Sequence, residues 1–283
     1  MEKISASIGI LTLNSGKTLR ACLESVKDFA EIIICDGNST DDTLAIAREY
    51  GAKIIKQYES DEPNLSCVED KDTVRQKNME AATHDWYFFM DSDDTLSPEV
   101  MAEIRTIVAN PNPEFLVYKM PTRIFIGEHE IKYWSFAPGY QIRFFNKKIN
   151  PHFRGPVHDR IAFDEKKYPG GLLRNFYDYR WPEDRVTHYW RFLKKYVDRE
   201  INVLGRILPQ RNYPSFWNFF IVETLPSLKT AAGYLFWKIP RIYLRHGFKD
   251  SMPPKVEFYL TVWYGLTYSI RSIGTYRAWR LTR

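Results

Sequence analysis

Over the first ninety residues, short runs of consecutive apolar positions alternate with stretches where apolar residues recur every three or four. Ser7 to Leu13 is such a run, and Asn14-Ser15-Gly16 ends it, which predicts a buried strand opening into a loop. Leu19, Leu23 and Val26 follow at helical spacing. Glu31 to Cys35 predicts a second buried strand, stopped by Asp36-Gly37-Asn38. Thr40 is then expected to cap a helix, with Thr43 in the capping-box position; that helix carries Leu44, Ile46, Ala47 and Tyr50 and ends at Gly51. Lys53 to Ile55 reads as a third strand, and the fully apolar Trp86 to Met90 as another central one. Strands and helices alternating at this spacing predict parallel pairing through right-handed crossovers. The expected fold class is therefore α/β with a mostly parallel, Rossmann-like central sheet.

From Pro111 to Arg180 the pattern loosens into short strands such as 115–119 and 141–145 among many turns. Beyond about Arg185 it becomes helical, and Pro209, Pro214, Pro226, Pro240, Pro253 and Pro254 are expected to cut that tail into short pieces. The domains expected are 1–190, with a first half to about 110 and a second from 111, and a helical region over 191–283.

Charge sharpens this division. The net charge of +5 splits into −7 over residues 1–184 and +12 over 185–283, and the second segment holds 21 of the 44 aromatic residues. An acidic body with a basic, aromatic tail predicts catalysis in one part and docking in the other. Cys22, Cys35 and Cys67 form no CxxC pair, so a zinc or disulfide framework is not expected and a reducing, cytoplasmic setting is. The N-terminal residues lack the layout of a secretory signal, and no run reaches the length of a spanning helix, Val256 to Ile270 being interrupted by Glu257. Apolar clusters at Phe216–Val222, Tyr234–Ile239 and Val256–Ile270 are flanked by Lys and Arg, a composition suited to the inner face of a bilayer with anionic lipid. The same aromatics would equally serve as the core of a helical cap. No nucleic-acid-binding module is recognisable.

The candidate chemistry is acidic. Asp91-Ser92-Asp93-Asp94 places three carboxyl groups just past a predicted central strand, where open α/β sheets put their ligands. Such a cluster is costly unless a cation compensates it, and a divalent metal shared with diphosphate oxygens does so. A solvated turn before the helix starting at Ser97-Pro98-Glu99 is the plainer reading. Asp36 closes a neighbouring strand and suits the imide N–H of a uracil base.

In order, Ile10-Leu11-Thr12-Leu13-Asn14, Asp36-Gly37-Asn38-Ser39-Thr40-Asp41 and Asp91-Ser92-Asp93-Asp94 resemble the family 2 glycosyltransferases of GT-A fold. Arg143-Phe144-Phe145, Pro156-Val157-His158-Asp159, Thr187-His188-Tyr189 and Arg245-His246-Gly247-Phe248-Lys249-Asp250 are similar to the bacterial subgroup that holds the lipopolysaccharide-core glucosyltransferases of the cell envelope. The chain departs from the family's pattern at Leu11, where Pro is usual, and at Asp159, where Glu is usual.

The resemblance implies an inverting, metal-dependent hexosyltransferase that uses a nucleotide sugar, with UDP favoured, and a glycan or lipid-linked acceptor. Thr12, Asn14, Asp36, Arg75, Asp91 and Ser92 would bind the nucleotide. Asp93 and Asp91, with His188, would hold Mg2+ or Mn2+. Asp159 would be the general base, with Asp184 the second candidate; His158 and His188 are equally readable as structural histidines. Two other readings stand beside this one. Met90 to Thr95 also resembles the nucleophile motif of haloacid-dehalogenase-like phosphatases, with Asp91 attacking. The chain could instead be a non-catalytic, membrane-bound scaffold.

Overall fold

A computed structural model describes residues 2–67, 70–154, 160–181, 186–211 and 213–282. The chain forms two compact units, Met1–Arg123 with Pro138–Tyr179, and Ile124–Ala137 with Arg180–Arg283. In chain order the elements are β1 (Ile4–Thr12), α1 (Gly16–Val26), β2 (Phe29–Asp36), α2 (Thr43–Glu49), β3 (Lys53–Lys56), α3 (Lys71–Glu80), β4 (Trp86–Asp91) and α4 (Pro98–Ala109). Then come β5 (Val117–Ile126), β6 (His129–Ile131), β7 (Gly139–Asn146), β8 (His152–Arg154), β9 (Arg160–Ala162), β10 (Gly171–Leu172), β11 (Tyr177–Trp181) and the helix α5 (Tyr189–Ile207).

The four apolar runs of the first unit pair in parallel in the order β3-β2-β1-β4. β7 adds antiparallel to β4, β5 antiparallel to β7, and β10 and β11 lie beside β5. β1 from Ala6 onward and β4 as far as Met90 are buried without interruption because both faces of the sheet are covered. Phe88 and Met90 pack with Ile8, Ile10, Leu23 and Ile104 on one side. Tyr87 and Phe89, pointing the other way as the strand pleat requires, pack with Ile33, Met79, Phe145 and Phe153.

One buried polar contact is threaded through that second layer. The Tyr87 hydroxyl donates to Asn78 Oδ1 at 3.1 Å, and Asn78 Nδ2 reaches the carbonyl of Ile10 at 3.3 Å. The contact exists because β1 has a glycine there. A Cβ on Gly9 would lie 1.9 Å from the Tyr87 hydroxyl and 2.3 Å from Asn78 Oδ1.

Local chemistry departs from the sequence pattern at the start of α2. Thr40 does not cap α2; Asp42 is the cap residue, and the Asp41 carboxylate accepts from both the amide and the hydroxyl of Thr43. The amide of Thr40 turns away to Asn14 Oδ1 at 2.9 Å. α4 does start as expected, with the Ser97 hydroxyl accepting from Val100 N at 3.4 Å and Pro98 in the first turn.

In the second unit the expected fragmentation is only partial. Helix runs without a break from 216 to 246, through Pro226 and Pro240. The turns Phe220–Thr224 and Tyr234–Lys238, just ahead of the two prolines, are π-helical. A wide turn moves the preceding carbonyls out of the way of a proline ring that has no N–H to offer them, so the helix continues. Val197, Ile201 and Leu204 of α5 share a core with Phe219 and Tyr276, whose rings stack at 4.2 Å. Among the described residues no helix is long and apolar enough to cross a membrane.

The Gly9 contact gives a stability test. Gly9→Ala should lower unfolding stability by about 1–3 kcal/mol, the range for overpacking a filled core. Urea unfolding followed by tryptophan fluorescence measures it, and an unchanged midpoint would show that the Tyr87–Asn78 pair yields freely.

Candidate active site

The parallel register brings three strand ends level. Thr12 lies opposite Asp36, and Leu11 lies between Cys35 and Asp91. The C-terminal edge of β1, β2 and β4 therefore presents Thr12, Asp36 and Asp91 side by side, where crossover connections leave a crevice.

Asp36 is buried and organises the first of two loops. Its Oδ1 accepts from the hydroxyls of Thr12 at 2.7 Å and Ser39 at 2.6 Å, and its Oδ2 accepts from Ser39 N at 2.7 Å. Asn14, in left-handed backbone conformation, joins this loop to its neighbours, donating to Asn64 Oδ1 at 2.8 Å. Gly37 lies so close to the 60–65 loop that a Cβ would come 2.2 Å from the Leu65 carbonyl. Gln57 ties the strand ends from below, donating to the carbonyls of Thr12 and Cys35, both at 3.1 Å.

The acidic tetrad is a tight turn in which the three carboxylates have different surroundings. Asp94 N donates back to the Asp91 carbonyl at 3.2 Å. Asp91 Oδ1 receives Arg75 Nη2 at 2.5 Å and Lys71 Nζ at 3.3 Å, and Oδ2 faces Arg143 Nη2 at 3.7 Å. Burial would push the Asp91 carboxyl up, but Lys71, Arg75 and Arg143 together hold it well below the usual carboxylate range. Asp94 is buried and accepts from the Tyr177 hydroxyl. Its burial, aided by Asp91 and Asp93 and opposed by Arg143 and the Tyr177 hydrogen bond, raises it to about 6. Asp93, at the tip of the turn, is exposed and makes no hydrogen bond or ion pair among the described residues. Ser92 shares a 2.8 Å hydroxyl contact with Ser15 at the start of α1.

Arg75 is fully buried; it also donates to the Met90 carbonyl at 2.9 Å, and its guanidinium lies 5.0 Å from the Phe89 ring centroid. Arg143 is wedged over Tyr177 at 4.4 Å, donates to Tyr179 Oη at 2.8 Å and reaches the Phe89 carbonyl at 3.3 Å. Lys71, Arg143, Tyr177 and Gln57 had no role assigned from sequence. An arginine inside a strand that continues as Phe144-Phe145 was the available signal for Arg143.

Of the remaining expected residues, His188 is exposed at the N-terminal boundary of α5 in the second unit and makes no capping bond. His158, Asp159 and Asp184 lie outside the described residues. The hairpin β8–β9 that brackets residues 155–159 borders a cavity of about 500 Å³ lined by Lys148, His152, Arg154 and Lys167 among others.

Among the described residues, no three His, Cys, Asp or Glu side chains are grouped to hold a metal. One unpaired carboxylate at a turn tip nevertheless suits Mg2+ or Mn2+, which take one or two carboxylates and complete their shell with phosphate oxygens and water. Asp93 fits that description, and Asp91, already matched by three cations, stands beside it.

Comparison with known proteins identifies the family and the fold. SunS, a glycosyltransferase of Bacillus subtilis, is 36% identical over 221 residues, covering 78% of this chain and 49% of that protein. An uncharacterized glycosyltransferase of Rickettsia felis is 33% identical over 171 residues, 58% of this chain and 56% of its own length. The chain thus spans about half the length of the curated relatives it matches. Among solved structures, the mannosyltransferase PcManGT of Pyrobaculum calidifontis, bound to GDP-Man and Mn2+, superposes with a TM-score of 0.52 at 10% identity, over 95% of this chain and 88% of that one. The likeness supports a shared GT-A fold. The model of glycosyl transferase family 2 matches residues 7–163, more than half of the sequence, and the chain belongs to that family.

Proposed function

We propose that this protein transfers a hexose from a nucleotide sugar, UDP-sugar in preference, to a hydroxyl of a glycan or lipid-linked acceptor, with inversion and with the help of a divalent cation. The observation that carries the proposal is the division of labour in the acidic turn, where Asp93 faces outward unpaired while Asp91 and Asp94 are held by the protein. Membership of family 2 removes the phosphatase reading of Asp91. Its carboxylate is also a poor nucleophile, held by three cations.

In this reading Thr12, Asp36 and Asn14 shape the rim that receives the base and ribose. Lys71, partly exposed beside Asp91, adds positive potential for the diphosphate. A bound Mg2+ or Mn2+ would be held by Asp93 with Asp91 alongside, and supplies Lewis-acid stabilisation of the leaving diphosphate. Arg75 and Arg143 keep Asp91 ionised and fixed. Asp159 removes the proton of the attacking acceptor hydroxyl. The basic lining near the β8–β9 hairpin suits an acceptor that carries anionic groups.

Asp94 has a structural part in this scheme, holding the turn to Tyr177. Its raised folded-state value has a consequence of definite sign. Between its unfolded value near 3.8 and its folded value near 6 the folded protein binds the extra proton. This contribution favours folding fully below the unfolded value and is lost as pH rises through the folded one.

Three outcomes are expected. Asp93→Asn should weaken Mn2+-dependent binding of a UDP-sugar by roughly tenfold or more, while binding in EDTA stays as in the wild type; calorimetric titration in both conditions checks this, and undiminished metal-dependent affinity removes Asp93 as the ligand. Asp159→Asn should cut turnover by about 10²–10⁴-fold with donor affinity intact. Near-normal turnover in that variant, measured by release of the nucleoside diphosphate, would assign the base elsewhere. Asp94→Asn, measured in EDTA, should gain stability relative to wild type as pH rises from 4 to above 6, by roughly 1–3 kcal/mol. A difference independent of pH would mean that Asp94 titrates normally.

A further inference from the structure

The three aromatic segments of the second unit look alike in sequence, yet they are buried very differently. In the helix over 254–281, Val256, Thr261, Val262, Ser269 and Tyr276 are buried, so that segment is largely core. At 216–222, Phe219 is buried while Trp217 and Ile221 are exposed. Between Tyr234 and His246 no residue is buried at all. Phe236 is 77% exposed, Trp237 70%, Leu244 88%, and Phe248 just beyond 68%.

This stretch has two opposed sides. Tyr234 packs on Phe136 at 5.5 Å, His246 stacks on Tyr133 at 3.8 Å, and the Tyr243 hydroxyl donates to the Met252 carbonyl at 2.6 Å. These contacts anchor the inner side. Phe236, Pro240 and Leu244 recur every four residues on the other side, with Trp237, Arg241 and Arg245 one position along. The π-helical turn before Pro240 keeps the helix unbroken, so both rows stay continuous. From Thr224 to Lys249 the chain carries Lys229, Lys238, Arg241, Arg245 and Lys249 and no Asp or Glu.

We propose that the Phe236–Leu244 face docks on an anionic lipid surface, with Phe236, Trp237 and Leu244 in the headgroup–acyl boundary and Arg241, Arg245 and Lys249 on lipid phosphates. An apolar row exposed to water is unfavourable in proportion to its area, and a flanking row of cations without a single carboxylate matches a negative bilayer face. A tryptophan beside the cations is a side chain that settles at headgroup level. A helix that lies flat needs no spanning length, in keeping with the absence of a spanning helix among the described residues. The interface is independent of the proposed glycosyl transfer.

The test is flotation of the full chain with vesicles of phosphatidylcholine alone and of phosphatidylcholine mixed with phosphatidylglycerol. The wild type should float with the anionic vesicles and be released by high salt. Arg241→Gln with Arg245→Gln should weaken binding by roughly thirtyfold, given the usual contribution of one cation near a charged membrane. Phe236→Ser with Trp237→Ser should abolish stable binding, and both variants should keep the wild-type urea-unfolding midpoint, showing that the fold is intact. Failure of the wild type to float at low salt, or equal flotation of all variants, overturns the proposal. So does a dimer in analytical ultracentrifugation that dissociates in the Phe236→Ser, Trp237→Ser variant, since it assigns the face to a second copy of the chain.

Discussion

Ionised carboxylates are rarely stable at the end of a strand buried on both faces, and Asp91 is held in that position by three cations from two elements. Lys71 and Arg75 come from the first half of α3, and Arg143 from β7. Burying even one of these guanidinium groups would be strongly unfavourable without a partner, so the elements are tied to the position of Asp91 as much as Asp91 is to them. Arg75 extends this by bonding the Met90 carbonyl, and Arg143 by bonding that of Phe89, which fixes α3 and β7 against consecutive residues of one strand. The sheet edge and the acidic turn are thus held by one electrostatic network.

A consequence follows for the other two acids of the turn. Asp91 is balanced from within and Asp94 is tied to Tyr177, and the exposed, unpaired carboxylate of the turn is Asp93. Three residues of nearly the same chemistry therefore have three environments: a charge-paired support, a buried staple to Tyr177 and an exposed carboxylate. The repulsion expected of such a cluster is relieved at Asp91 by protein cations, while burial makes Asp94 bind a proton more readily than an exposed carboxylate does.

Much of this fold was legible in the sequence because apolar runs fully buried on both faces leave an unambiguous signature. β1, β2 and β4, and with them the level placement of Thr12, Asp36 and Asp91, follow from it. The partners of the acidic turn were not legible in the same way. Arg143 and Tyr177 reach it through strands added more than forty residues later, and sequence spacing carries no information on such pairings. Arg75 could be placed near the site, but its burial against Phe89 depends on the packing of α3. The cap of α2 was misassigned for a local reason. Asp41 and Thr43 satisfy each other, and Thr40 is drawn to Asn14 across the loop.

The second unit shows where composition stops discriminating. Segments 234–246 and 256–270 have similar aromatic content, yet one is unburied and the other forms a core. The difference lies in which residues interrupt the apolar ones. In the buried segment they are small or uncharged, Thr261, Gly265 and Ser269, with Glu257 satisfied in part by the Ser135 amide. In the unburied one they are Lys238, Arg241 and Arg245, whose charges keep that side in contact with water or with something negative. The distribution of charge along the chain leads to the same end. Residues 1–184 carry −7 and would be repelled by an anionic surface, but screening limits that repulsion to roughly 10 Å at moderate salt. Cations on an outward helix face, supported by rings that can enter the interface, act at contact distance, where screening is weakest. A net positive charge spread evenly over the molecule would give no such preference, so it is the clustering of cations along 224–249 that favours docking by this face.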